Sequence, residues 1–141
     1  QRRNWVPFII VQIGGALVGA VIAHLMFGLE AVQTGVKIRT GTAQWLGEGV
    51  ATFGLLFTII VGGRHKPDAM PALVALWIVA GYWFTSSTSF ANPAVTLARA
   101  FTDSFAGIRL IDTPGFILAQ IAGAALAFVT AKWLAAEDVS R

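Results

Sequence analysis

The sequence predicts an all-α membrane protein with four transmembrane helices plus one re-entrant half-helix, and three observations predict it. Of its 141 residues 56% are hydrophobic and only 12% are charged, with a mean hydropathy of +0.72, whereas soluble domains carry roughly 25% charge. The apolar residues gather into four runs of about bilayer-spanning length, near 20 residues each. A fifth apolar stretch, opened by Asn92-Pro93, is only half that long. The composition excludes intrinsic disorder, which is poor in apolar residues. With no cysteine there is no disulfide framework or thiolate site. The net charge of +3 comes from basic residues scattered over short connectors, which argues against a nucleic-acid partner.

The first run covers 6–27. It is too long for the core of a signal peptide, so Arg2 and Arg3 read as the flank of a helix. The chain does not open on Met, which reads as a processed product or a fragment. The second and third runs cover 43–63 and 70–86, and the last covers 114–136. Between the third and the last, residues 92–101 rise only about 15 Å as a helix, half of a bilayer core. Asn92 is a good helix cap, and Pro93 suits a first helical position because it has no N–H to leave unpaired. A helix starting at membrane depth leaves irregular backbone before it, tolerated only where protein buries it or water lines it. The half-helix start also directs a partial positive charge and donors toward the middle of the membrane. With four crossings, Arg2, Arg3, Arg64, Lys66, Lys132 and Arg141 share one side and Lys37, Arg39 and Arg109 the other, which places both termini in the cytoplasm. The whole chain, 1–141, is expected to form a single membrane domain.

The strings QIGGALVGAVIA at 12–23 and QIAGAALAFVTA at 120–131 agree at six of twelve positions. Shared Ala, Gly and Val composition accounts for part of this, but the paired Gln-Ile starts favour an internal repeat. The topology makes the copies inverted, as recurs in transport proteins.

The run FANPAVTLARAF at 90–101 is similar to the second Asn-Pro-Ala loop of the aquaporin family of major intrinsic proteins. Gly47-Glu48-Gly49 in the second span and the glutamine-led, glycine-rich first and last spans support the likeness. It covers almost the whole chain, which resembles the third to sixth membrane helices of that family, a half-aquaporin lacking the first two helices and the first half-helix. The resemblance implies a passive channel subunit for small uncharged solutes in the bacterial inner membrane, its pore completed by oligomerisation as a dimer or tetramer, with no cofactor. It assigns Asn92, Pro93 and Ala94 to the pore centre and Ala80, Ser89 and Val95 to a selectivity filter. Val95 stands where the family usually has arginine, so the filter is expected to be wider and less polar, with a weaker barrier to cations. Valine there resembles an arsenic-associated, aquaglyceroporin-like branch, so water, glycerol and arsenite-type acids are the expected solutes.

Other features have plainer readings. Glu48 lies inside a span, where a charge costs about 2.5–3.5 kcal/mol; as a scaffold acceptor, matching the family, it would hold N–H groups of the loop before Asn92, and a proton relay is the other reading. Gln12 and Gln120 either line the pore or hydrogen-bond between helices as scaffold, the commoner use. Gly15 with Gly19, and Gly123 with Ala127, permit close helix packing. His24 and His65 have no second ligand at metal spacing, so no metal is implied, and His24 is expected to be solvated or at the interface. The hydroxyls of 85–89 lack a base and read as caps rather than nucleophiles, so no enzyme is expected. Trp5, Trp45 and Trp133 read as interface anchors; Trp77 and Trp83 are unassigned. The alternative reading is a non-conducting membrane scaffold or a truncated remnant; a membrane hydrolase ranks far below both.

Overall fold

The computed structural model describes residues 4–139, with side chains to residue 135. Arg2, Arg3 and Arg141, used for orientation, lie outside the described residues. The chain forms α1 (Trp5–Met26), α2 (Thr42–His65), α3 (Met70–Phe84), α4 (Pro93–Arg99) and α5 (Thr113–Val139). Single 3-10 turns at Pro67–Ala69 and Leu110–Asp112 lead into α3 and α5. No strand occurs among the described residues. Among the described residues, four helical stretches are long and apolar enough to cross a membrane: Trp5–Met26, Thr42–His65, Pro67–Phe84 and Leu110–Ala135. The chain is a multi-pass membrane protein.

Local chemistry sets the helix ends. Gly41 precedes α2 at φ 101, a left-handed conformation that glycine adopts without strain. Arg64 and His65 fall in the last turn of α2, where cations suit the dipole. α3 stops at Phe84, short of the expected 86, because the Thr85 hydroxyl donates to the Gly81 carbonyl at 2.6 Å and the backbone turns extended. α4 is shorter than the expected 92–101. Its last turn tightens as Ala100 N–H donates to Leu97 and Phe101 N–H to Ala98, and the Ala100 carbonyl accepts from Gly35 N–H at 2.8 Å. Seven residues rise about 10 Å.

The chain gathers into two compact units. The first comprises Gln1–Arg39 and Asn92–Pro114. In it α4 packs on α1, and the connectors after both helices are stitched together. Ile108 N–H donates to the Arg99 carbonyl at 3.1 Å and Arg109 N–H to the Lys37 carbonyl at 3.0 Å. Gly35 lies so close to the Ile108 backbone that a Cβ there has no room. The Arg39 side chain is buried and donates through Nε to the Gly107 carbonyl at 2.7 Å and through Nη2 to that of Phe105 at 2.8 Å. Asp112 accepts from Arg39 N–H at 3.0 Å and from the Arg109 guanidinium at 2.9 and 3.0 Å. That bidentate bond holds the Arg109 guanidinium above its ordinary pKa, against a smaller desolvation effect.

His24 corrects the expectation of a solvated or interfacial side chain. It is buried, with Nδ1 at 3.0 Å from the Ala31 carbonyl and Nε2 at 2.8 Å from Thr102 Oγ1. A carbonyl can only accept, so Nδ1 carries the proton in that bond. The imidazole joins the end of α1 to the connectors that follow α1 and α4.

The second unit comprises Thr40–Ala91 and Gly115–Arg141. Here α2 packs on α3, and the Trp77 indole fills the space a side chain at Gly54 would need while its Nε1 donates to the Ala51 carbonyl at 2.9 Å. Gly123 of α5 meets the Gly49 backbone of α2, and Gly115 meets the Trp45 indole. These contacts need the absence of side chains rather than loop-like freedom. Phe116, fully buried, packs on Phe90 with ring centroids 5.2 Å apart.

Candidate functional site

The site begins with a loop that the chain could not hold unaided. Thr88, Ser89 and Ala91 have φ of 64, 50 and 49, in a left-handed region that costs non-glycine residues roughly 1–2 kcal/mol each. Glu48, which has no exposed surface, offsets this. Its Oε1 accepts from the Ser87 hydroxyl and from Phe90 N–H, both at 2.7 Å, and its Oε2 accepts from Ala91 N–H at 2.9 Å and from Gln120 Nε2 at 2.7 Å. One carboxylate thus takes four donors from the loop and from α5. Successive N–H groups turned toward one anion form a concavity that stabilises this backbone. Ser86 donates to the Ala43 carbonyl and Gln44 Nε2 to the Ser86 carbonyl, each at 2.8 Å, so the loop is also tied to the start of α2. Thr88 is buried, and its hydroxyl finds no partner among the described residues.

The next residue is the cap of α4. Asn92 is extended, and its Oδ1 accepts from Ala94 N–H at 2.8 Å. Its carbonyl accepts from Thr96 N–H and from the Thr96 hydroxyl, both at 2.9 Å. The other half of the Asn92 amide, Nδ2, makes no hydrogen bond among the described residues, and the residue is half-buried. Pro93 occupies the first helical turn with no N–H to satisfy. The cap therefore uses the oxygen and leaves two N–H donors.

The structure brings Glu48 and Gln120 into contact. Gln12, the residue paired with Gln120 in the internal echo, is exposed on α1 and makes no side-chain hydrogen bond among the described residues. Ala80 is exposed on α3, and Ser89 is half-buried with its N–H 3.3 Å from Ser87 Oγ. Val95 lines a hollow of about 320 Å³ in the first unit, together with Ala16, Ala20, His24, Ala98 and Arg99. Its wall is mostly apolar, built from alanines on one face of α1 and from α4. Sequence reasoning did not find His24, Arg39 or Asp112 as parts of this framework. Their partners lie 66–78 residues away, except the local Arg109–Asp112 and His24–Ala31 pairs.

No family model matches the chain, and no solved structure matches it. Two curated proteins do. The chain is 53% identical over 133 residues to aquaglyceroporin AqpS of Rhizobium meliloti (strain 1021), which covers 94% of this chain and 57% of that protein. It is 34% identical over 149 residues to aquaporin AqpM of Methanothermobacter marburgensis, covering 96% of this chain and 61% of that protein. The chain thus spans somewhat over half the length of the curated relatives it matches. Taken with the helical architecture and with the likeness running nearly end to end, these matches show that the chain is similar to aquaporins over a stretch that amounts to about half of a full-length relative.

Proposed function

We propose that the chain is a channel subunit that passes small uncharged solutes down their gradients, with a pore completed by further copies or segments. The carrying observation is Asn92, whose Oδ1 caps α4 while Nδ2 stays available as a donor beside a backbone held rigidly by Glu48. A fixed neutral donor can replace one hydration bond of a hydroxylated solute without binding it as tightly as a full charge would. Ala80, Ser89 and Val95 form the filter in this reading, and the apolar Val95 admits solutes larger than water. The names of the two relatives support water and glycerol; arsenite-type neutral acids share glycerol's hydroxyl pattern and are included on that chemistry. Glu48 and Gln120 serve as scaffold, and Asn92, Pro93 and Ala94 mark the pore centre. Both termini are cytoplasmic in this reading, from the basic-residue count, and the partners are the lipid bilayer and further copies in a homo-oligomer.

Stopped-flow light scattering of proteoliposomes tests it. Water and glycerol should enter markedly faster than in protein-free vesicles, and Asn92 substitutions should reduce that excess. Permeabilities equal to those of empty vesicles, with the protein folded and inserted, would reject the channel and leave a membrane scaffold.

A further inference from the structure

Ser89 rests against a notch in α3. Gly81 is buried, and a Cβ built on it would lie 2.8 Å from Ser89 Oγ and 3.2 Å from Ser89 Cβ. The first distance is too short for any real contact, and the second is tighter than ordinary packing. Neither side can yield easily. The Gly81 carbonyl accepts both the Thr85 N–H at 3.1 Å and the Thr85 hydroxyl at 2.6 Å, so the end of α3 is pinned. Ser89 is held from its own side. Its N–H is 3.3 Å from Ser87 Oγ, Ser87 donates to Glu48, and Phe90 N–H donates to the same carboxylate. With both backbones fixed, the remaining freedom is the Ser89 χ1 rotation, at φ 50.

We propose that Gly81 is a positioning residue for solute selection: by offering no side chain it lets the Ser89 hydroxyl lie in a notch of α3, clear of the solute path. This rests on the channel reading and on Ser89 as a filter position, and it deepens both by naming what aims the hydroxyl. The space at this point is set by a glycine next to a filter residue, not by the filter residues alone. A methyl group at position 81 turns the hydroxyl out of the notch, which narrows the passage and adds a polar group to it. Glycerol, the wider solute, suffers more than water.

The experiment is the glycerol-to-water permeability ratio of proteoliposomes holding the full chain, for the unaltered protein, Gly81→Ala, and Gly81→Ala with Ser89→Gly. The single variant should lower the ratio about tenfold, the lower end of what one methyl does in a fitted site. The double variant, lacking both the hydroxyl and the Cβ that collide, should recover most of it. A purely structural injury at Gly81 would cut both solutes alike and would not be rescued by Ser89→Gly. An unchanged ratio in Gly81→Ala, or a lowered ratio that the double variant does not restore, overturns the proposal. Should Gly81→Ala fail to insert, Ser89→Thr crowds the same notch from the opposite side and should lower the ratio too; an unchanged ratio there overturns it equally. Absence of flux in the unaltered protein is a different result, rejecting the channel reading itself.

Discussion

Replacing Glu48 with glutamine puts the scaffold to a numerical test. The carboxylate accepts four hydrogen bonds, two at each oxygen, and glutamine turns one of those oxygens into a donor. If the new NH₂ faces Ser87 and Phe90, the serine hydroxyl can rotate to accept, but Phe90 N–H has lost its acceptor. If it faces Ala91 and Gln120, the Gln120 amide can turn over, but Ala91 N–H is stranded. Either way one buried backbone donor is orphaned, at about 1–3 kcal/mol. The surviving bonds also fall toward neutral strength, together losing about 1–2 kcal/mol. A neutral amide is easier to bury than a carboxylate, which offsets part of this. The net expectation for Glu48→Gln is a loss of about 2 kcal/mol, with residues 87–91 loosened first. Detergent-titrated unfolding in mixed micelles, followed by tryptophan fluorescence, measures the difference. A variant within about 0.5 kcal/mol of the unaltered protein, roughly the scatter of a neutral surface change, would refute the claim that Glu48 holds the loop.

Three further outcomes follow from the same geometry. Gly54→Ala drives a methyl group into the Trp77 indole, which is held in place by donating its N–H to the Ala51 carbonyl, and should cost about 1–3 kcal/mol; adding Trp77→Leu should return most of it, and additive losses in unfolding titrations would count against a direct clash. Thr88→Gly removes both a left-handed β-branched residue and an unpartnered hydroxyl. It should stabilise by about 1 kcal/mol after the entropic penalty of glycine, and destabilisation would mean that the hydroxyl has a partner supplied from elsewhere. Asn92→Asp keeps the capping oxygen but replaces Nδ2 with a second acceptor. The cap itself is kept, since Asn and Asp cap equally, so the stability loss should not exceed the roughly 2.5–3.5 kcal/mol of a charge at membrane depth, while glycerol flux through the inserted variant falls; unaltered flux would show that Nδ2 takes no part.

The sequence exposed those features whose causes are local. Bilayer-length apolar runs mark α1, α2, α3 and α5 because each apolar stretch is itself the determinant of a spanning helix. Asn92-Pro93 marks the start of α4 because a cap acts within three residues. The end of α4 was less legible, since it is fixed by Gly35, which arrives from a connector 65 residues earlier in the chain. Distance in sequence likewise hid the buried roles of His24 and Arg39, whose residue types suggested solvent. Neither histidine nor arginine carries a local sign that a carbonyl or hydroxyl about 70 residues away will satisfy it. The three left-handed residues of the loop were invisible for another reason. Glycine and asparagine advertise that conformation, whereas Thr88, Ser89 and Ala91 adopt it because a carboxylate on another helix stabilises the result. Gly81 carries no local sign of its role, because the side chain that meets it belongs to Ser89 of the following loop.

On the proposed channel reading, α4 presents one side to an aqueous passage inside the membrane. The chain has no cysteine, so single thiols report cleanly. In proteoliposomes, Val95→Cys, at a half-buried position on the hollow, should react with a water-soluble methanethiosulfonate and lose glycerol flux on modification. Thr96→Cys, one residue on and without exposed surface, should stay unmodified with its flux intact. An inert Val95→Cys, or one that is modified fully without any change in flux, would contradict the account.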